Sequence, residues 1–232
     1  YLKENINLLK AVAKSPYVVG SDFIGEEIND ISDLQPVIKE IVKYINKEDK
    51  DFTMRIHAGE NDSFKDNVRK SILCVKNSLE QGQEMPRCRI GHGVYSEDLE
   101  SEEGKELIKL MRDLGIIIEF QLTSNVRLNN LTDLANHPIK KFLESGVKCV
   151  QGTDGCGMYG TDTFDEQLAL QNLLNLTNSD FEEMRKVEDK VLEKNEKYFE
   201  EKSKKFSKFL GNKTITQAIK EEEEKNTIET EE

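Results

Sequence analysis

Short apolar runs alternate with longer segments of helical spacing along the first 176 residues of the chain. The apolar runs, which are typical of buried strands, are 17–25, 52–60, 87–94, 115–125 and 147–155. The segments with helical spacing that follow them are 34–46, 64–80, 102–114, 137–145 and 165–176. Five βα units with short connections predict an α/β fold, in which helices cover a parallel sheet.

The pattern changes after residue 178. Residues 179–220 combine helical spacing with a high density of charge, which predicts a charged helical extension. Residues 221–232, EEEEKNTIETEE, form a charge run that predicts an acidic, disordered tail. The sequence therefore predicts three parts, with the βα units confined to residues 1–178.

Composition narrows the class of protein. The net charge of −12 lacks the basic footprint of a nucleic-acid-binding protein. Apolar runs stay below the ~18 residues that a membrane span needs, and we expect no signal peptide. The four cysteines form no C-x-x-C pair, which favours free thiols in a reducing compartment. We therefore expect a cytoplasmic protein that binds neither nucleic acid nor membrane.

Polar side chains cluster where each predicted strand ends. They are Asp22, Glu27, His57, Glu60, His92, Ser124, Asn125 and Asp154. In parallel βα folds the carboxyl ends of the strands meet at one edge, where active sites form. One isolated histidine would more often be a structural core residue. Two histidines and an aspartate at equivalent strand ends indicate a functional site.

The residue types at these strand ends suggest metal chemistry. Neutral imidazole and carboxylate are ordinary ligands of zinc, and bound metal lowers the pKa of water to about 7. Some of His57, His92 and Asp154 could hold the ion while the others move protons. Glu60 follows His57 by three residues and could act as an acid or base without being a ligand. The predicted reaction class is metal-assisted hydrolysis.

Several motifs carry a resemblance to a known family. In chain order they are GSDFIGEE (20–27), HAGE (57–60), RIGHG (89–93), TSN (123–125), HPI (137–139) and GTD (152–154). Their order and spacing resemble the adenosine deaminase family of metal-dependent hydrolases from about residue 17 to residue 176.

The resemblance implies a TIM-type (β/α) barrel with one zinc ion. His57 and Asp154 would be metal ligands. Glu60 would protonate the purine ring nitrogen, and His92 would orient and deprotonate the attacking water. On the substrate side, Gly25 would offer its backbone N–H to the purine. Asp22 is a further candidate substrate contact at the same edge.

Two departures from the family pattern qualify these expectations. The family takes two more zinc ligands from an H-x-H pair on its first strand, and this sequence has no such pair. Because a closed barrel of this type needs eight units, we expect the chain to be the C-terminal part of a longer polypeptide. An upstream segment would complete the metal site, and the chain alone would bind zinc poorly. An oligomer is compatible with the sequence.

The second departure concerns the substrate. Adenosine deaminases read T-D-D where this chain has Thr153, Asp154 and Gly155. The second aspartate contacts the five-membered ring of the purine, so Gly155 removes a hydrogen bond and a negative charge. Adenosine, adenine, AMP and ATP all remain candidate substrates.

Two alternatives stay open beside a purine deaminase. One is a catalytically incomplete barrel that serves as a binding or scaffold module. The other is a sister amidohydrolase that acts on a non-purine substrate. The presence of both Glu60 and His92 favours an enzyme, because a scaffold needs no acid–base pair.

Overall fold

The structure is a computed structural model, and it describes residues 2–25, 27–128, 130–131 and 133–229. Its centre is one sheet of five parallel strands in the order β1-β2-β3-β4-β5. The strands are β1 Gly20–Phe23, β2 Thr53–Ala58, β3 Arg87–His92, β4 Ile117–Phe120 and β5 Lys148–Gln151. The strand order follows the chain, so each βα unit adds the next strand beside the last.

The helices occupy the connections and the C-terminal part of the chain. They are α1 Leu2–Val12, α2 Gln35–Glu48, α3 Asn67–Asn77, α4 Glu102–Leu114, α5 Leu122–Arg127, α6 Ile139–Glu144, α7 Cys156–Tyr159, α8 Thr163–Leu174, α9 Asn178–Leu210 and α10 Ile215–Glu229, with a 3₁₀ turn at Ile31–Leu34. Among the described residues, no helix is both long and apolar enough to cross a membrane.

Local sequence signals explain where α4 begins and ends. The Ser101 side chain accepts a hydrogen bond from Gly104 N–H at 3.0 Å, which caps the first turn. Gly115 follows the last turn with φ 66°, in the left-handed region that glycine adopts without cost. The predicted helix over 102–114 therefore has a capping residue at each end.

The two faces of the sheet differ in chemistry. On β2, Met54, Ile56 and Ala58 are fully buried and join the hydrophobic core with α2, α3, α4 and α6. Arg55 and His57 alternate with them and lie on the opposite face, because successive side chains of a strand point to opposite sides. One face of the sheet thus builds the core, and the other carries charged side chains.

The structure corrects two expectations about secondary structure. The apolar run 115–125 is not one strand, because β4 ends at Phe120 and α5 begins at Leu122. The buried Glu166 side chain accepts a hydrogen bond from Thr123 N–H and so stabilises the start of this helix. Ser124 and Asn125 therefore reach the strand edge from a helix.

The second correction concerns the predicted disordered tail over 221–232. The structure places 221–229 in α10, and 230–232 lie outside the described residues. Helix α10 packs against α1, and Ala218 of α10 is buried. Just beyond the end of α1, Lys14 pairs with Glu222 of α10 at 3.3 Å. These contacts offset the charge repulsion that the run of glutamates would otherwise produce.

Helix α9 ties distant parts of the chain together. It packs against β5 and begins with a capping box between Thr177 and Asp180. Further along, the buried Lys202 donates hydrogen bonds to Val18 O at 2.6 Å and to the hydroxyl of Tyr198 at 2.8 Å. The charged extension predicted over 179–220 is thus helical and partly buried.

Candidate active site

Three potential metal ligands converge at the carboxyl edge of the sheet. One ligand atom each from Glu60, His92 and Asp154 lies within 4.8 Å of the others. The three residues follow or end β2, β3 and β5, so the parallel strands bring them to one edge, as the sequence predicted. They are separated by up to 94 residues along the chain and meet only through the fold.

His92 is completely buried at the end of β3. Its backbone has φ 71°, a left-handed conformation that is costly for a non-glycine residue and that clusters at functional sites. The backbone N–H donates to Gln121 Oε1 at 3.0 Å, and Nδ1 lies 3.3 Å from Asn125 Oδ1. The buried Nε2 has no hydrogen-bond partner among the described residues. Burial lowers the pKa of His92 to about 4, so the ring is neutral at pH 7.

Asp154 follows β5 and also has a left-handed backbone, with φ 52°. Ser124 Oγ donates a hydrogen bond to Asp154 Oδ2 at 2.6 Å. Ser124 and Asn125 both belong to α5, so this short helix contacts Asp154 and His92 at once. Ser124 and Asn125 of the TSN motif thus hold the side chains of Asp154 and His92 in position.

Glu60 lies in the turn after β2, and the Glu27 carboxylate holds that turn. Glu27 accepts hydrogen bonds from the backbone N–H groups of Gly59 at 2.6 Å and Glu60 at 2.7 Å. The Glu60 Oε1 atom lies 3.6 Å from His92 Nε2, too far for a hydrogen bond but close enough to share a ligand or water. Burial raises the pKa of Glu60, and nearby Asp154 adds to this effect while His57 opposes it.

His57 lies beside the cluster of three ligands and is not a member of it. Its ring centroid is 5.1 Å from that of His92. The His57 Nδ1–H donates to Asp22 Oδ1 at 3.0 Å, and Asp22 Oδ2 accepts from Arg55 Nη1 at 2.6 Å. Both oxygens of Asp22 are therefore engaged within the protein. The roles predicted for His57 in metal binding and for Asp22 in substrate binding stay predictions.

The two glycines of the predicted substrate site lie at opposite sides of this edge. Gly25 and His57 line a cavity of about 320 Å³, together with Phe23 and Leu34. Gly155 follows Asp154 directly and precedes α7, with φ −74°. A substrate contact at either glycine stays a prediction.

The donor set suits a zinc ion. Imidazole nitrogen and carboxylate oxygen are the ligand types that zinc takes in catalytic sites. The buried and unpartnered Nε2 of His92 is the observation that argues most directly for a bound group or water here, since a buried polar atom without a partner is costly. Ligation by Asp154 and His57, with His92 acting on water, stays a prediction.

Several residues that support this site were not predicted from the sequence patterns. Glu166 accepts a hydrogen bond from the first turn of α5, and Gln121 accepts one from the His92 backbone N–H. Arg55 donates a hydrogen bond to Asp22. None of them belongs to a motif, and Glu166 lies in an ordinary helix. Glu27 differs from these three residues, because the sequence placed it after a predicted strand end in the GSDFIGEE stretch.

Comparison with known proteins gives consistent matches. A family model described as adenosine deaminase matches residues 2–224. The adenosine deaminases of Plasmodium gallinaceum and Plasmodium falciparum are 36% and 34% identical to this chain over 166 residues. Each alignment covers 72% of this chain and 40% of the relative, so the chain spans less than half of these relatives.

A solved structure supports the fold independently. The adenine deaminase of Arthrobacter aurescens superposes with a TM-score of 0.58 at 16% sequence identity, over 80% of this chain and 52% of that one. At this identity the likeness concerns the fold, and it confirms the prediction of a partial TIM-type barrel. With the family model matching nearly the whole length, the chain belongs to the adenosine deaminase family.

Proposed function

We propose that the protein catalyses the zinc-dependent hydrolytic deamination of an adenine-containing nucleoside or nucleotide. The observation that carries this proposal is the convergence of Glu60, His92 and Asp154 within 4.8 Å at the carboxyl edge of the sheet. In the reaction, water adds to the ring carbon that bears the amino group, and that group leaves as ammonia.

The chain supplies groups for the two proton transfers that accompany the addition of water. Glu60 would donate a proton to the purine ring nitrogen, a role that its raised pKa, caused by burial, supports. His92 is neutral and has an unpartnered Nε2, so it can accept a proton from the attacking water. The backbone N–H of Gly25, beside the cavity next to His57, would hold the purine.

Asp154 and His57 would hold the zinc ion. When bound, the ion supplies a water nucleophile that is active at neutral pH. Two further ligands would come from outside this chain, in keeping with its coverage of 40% of the relatives' length. A polypeptide that lacks those ligands would bind zinc weakly and turn over slowly.

Gly155 would set the choice of substrate. A glycine beside Asp154 leaves no carboxylate to repel a phosphate and no acceptor for the five-membered ring. This favours adenine nucleotides over adenosine. A lost hydrogen bond of this kind is worth about 0.5–3 kcal/mol.

The test is ammonia release from adenosine, adenine, AMP and ATP, measured side by side with zinc supplied. Both this chain and the full-length polypeptide that contains it should be assayed. Release from any of the four substrates supports the proposal and identifies what Gly155 selects. Bound zinc without ammonia from any of them would point to a non-purine substrate. Neither zinc nor ammonia in the full-length polypeptide would favour a scaffold.

A further inference from the structure

The side chain of Arg55 crosses the sheet on its charged face. It starts on β2, passes over β3, and donates from Nε to Glu119 Oε2 on β4 at 2.6 Å. Gly91 of β3 lies directly beneath it. A Cβ at Gly91 would come within 2.9 Å of Arg55 Nη2 and 3.2 Å of Cζ, so any larger residue there would displace the guanidinium from its present position.

The same guanidinium reaches β1 on its other side. Arg55 Nη1 donates to Asp22 Oδ2 at 2.6 Å, while Asp22 Oδ1 accepts from His57 Nδ1 at 3.0 Å. Arg89 pairs with the remaining oxygen of Glu119 at 2.9 Å. The side chains of Arg55 and Glu119 are only 17% and 9% exposed, so solvent screens this pair weakly, whereas Asp22 and Arg89 are 36% and 37% exposed. Two guanidiniums and two carboxylates balance in charge.

This arrangement constrains the imidazole of His57. A carboxylate accepts hydrogen bonds and does not donate them, so an Asp22 oxygen held at Nδ1 requires the proton to be there. The Nε2 atom then keeps its lone pair, which is the form in which histidine binds a metal or accepts a proton. Arg55 Nη1 lies 3.3 Å from His57 Nδ1 and 3.1 Å from Nε2. A guanidinium only donates hydrogen bonds, so its contact with Nε2 also requires that nitrogen to be unprotonated in the metal-free protein.

We propose that Arg55 is a positioning residue for the active site. It extends over Gly91 to Glu119 and holds Asp22 so that His57 keeps its proton on Nδ1 and presents an unprotonated Nε2. The inference rests on the proposed function only where it treats His57 as a metal ligand.

The first test needs neither metal nor substrate. Long-range ¹H–¹⁵N spectra of metal-free protein with labelled histidines would report the tautomer of each of its three histidines. They would be recorded at about pH 8, above the ordinary histidine pKa of about 6.5. The His57 signals, assigned by their loss in His57→Asn, should show the Nδ1–H tautomer in the unmodified protein. In Arg55→Gln they should move to a mixture of tautomers.

Two further variants separate positioning from simple loss of charge. Gly91→Ala keeps every charged group but blocks the path of Arg55, so it should change the His57 tautomer in the same direction. Arg89→Gln removes the other guanidinium that pairs with Glu119. Among the described residues Arg89 has no contact with Asp22, so this variant should leave the tautomer unchanged. If Arg55→Gln does not fold, Gly91→Ala and Arg55→Lys are measured in its place. An unchanged His57 tautomer in the folded Arg55 and Gly91 variants would overturn the inference.

Zinc affinity of the full-length polypeptide, measured against a competing chelator, provides the second test. Loss of an outer contact to a ligating histidine typically weakens metal binding about 10–100-fold. We expect this loss in Arg55→Gln and in Asp22→Asn, and no further loss when the two are combined, because Arg55 acts through Asp22. Additive losses would overturn that route. A changed tautomer with unchanged zinc affinity would support the positioning role and instead contradict His57 as a ligand.

Discussion

At the scale of single residues, a substitution of Glu60 can distinguish a metal ligand from a proton donor. Its carboxylate lies within 4.8 Å of atoms from His92 and Asp154, so position alone permits it to be a ligand or an acid. Glu60→Gln keeps the size and removes the proton donor. We expect turnover to fall by about 10²–10⁴-fold, the usual contribution of general acid–base catalysis, with zinc content unchanged.

Metal analysis of the purified variant, alongside ammonia release, makes this measurement. Glu196→Gln is the matched control, because Glu196 is exposed on α9 and far along the chain from the site. It should leave both quantities unchanged. Loss of zinc from Glu60→Gln would reassign Glu60 as a metal ligand.

Gly155 permits a test of substrate choice. Its φ of −74° suits any residue, and a Cβ there would lie 3.3 Å from the flexible ends of Met158 and Tyr159, so Gly155→Asp should fold. A carboxylate at this position should repel phosphate and accept a hydrogen bond from a purine. We expect the ratio of kcat/KM for adenosine to that for AMP to rise about 10-fold, equivalent to about 1.4 kcal/mol.

The control is Gly157→Asp, which adds the same charge two residues later, in α7, where a Cβ would meet nothing within 4 Å. An equal change in both variants would mean that the charge of the loop, and not the position beside Asp154, selects the substrate.

At the scale of elements, α5 depends on a buried carboxylate. Glu166 is fully buried and accepts hydrogen bonds from Thr123 N–H at 3.2 and 3.3 Å. Burial raises the pKa of Glu166 above its ordinary value of 4.5, although bonds from Thr123 and Leu122 oppose the shift. The folded state therefore holds this proton more tightly than the unfolded state does.

The sign of the pH effect follows from that difference. Stability that depends on the bound proton is fully present below pH 4.5 and is lost as the pH rises through the folded-state pKa. Relative to Glu166→Gln, the unmodified protein should therefore lose free energy of unfolding as the pH rises above about 4.5. Urea denaturation of both proteins at a series of increasing pH values measures the change. Asp165→Asn, at an exposed neighbour, should show no such trend, and a trend of opposite sign would contradict the assignment.

The elements also show how far sequence patterns reach. The five βα units and the edge that gathers Glu60, His92 and Asp154 follow from periodicity and from the position of polar residues at strand ends. The boundary inside 115–125 does not, because a continuous apolar run has the same appearance in a buried strand and in a short buried helix. The helix there depends on Glu166, which lies more than 40 residues away along the chain. Likewise, the position of the Arg55 side chain over Gly91 depends on β2, β3 and β4 lying side by side, which the pattern within any one strand does not show.

At the scale of the whole molecule, α9 stabilises the amino ends of the first strands. Lys202 is 5% exposed, and its ammonium lies 3.0 Å from Asp49 Oδ2, whose other hydrogen-bond donor is the Tyr198 hydroxyl at 2.6 Å. Lys202→Ala would leave Asp49 without its cation and Val18 O without a donor. We expect the free energy of unfolding to fall by about 3 kcal/mol, as when one partner of a buried ion pair is removed.

Urea denaturation again provides the measurement. Lys204→Ala, two residues away on the exposed side of α9, is the matched control and should change stability by less than about 0.5 kcal/mol. A loss below about 1 kcal/mol for Lys202→Ala would show that α9 is held mainly by its apolar contacts.

The contacts of Lys202 have a consequence for how the protein forms during translation. They join residues 184 positions apart, so the hydrogen bond to Val18 has to wait until the ribosome has made almost the entire described chain. Until then the aromatic ring of Phe52 lacks its cation–π contact with the Lys202 ammonium, which lies 5.2 Å from the ring centroid in the folded protein. A nascent chain halted after α8 would already carry every predicted catalytic and metal-binding side chain yet remain exposed to chaperones and proteases at the other end of the sheet.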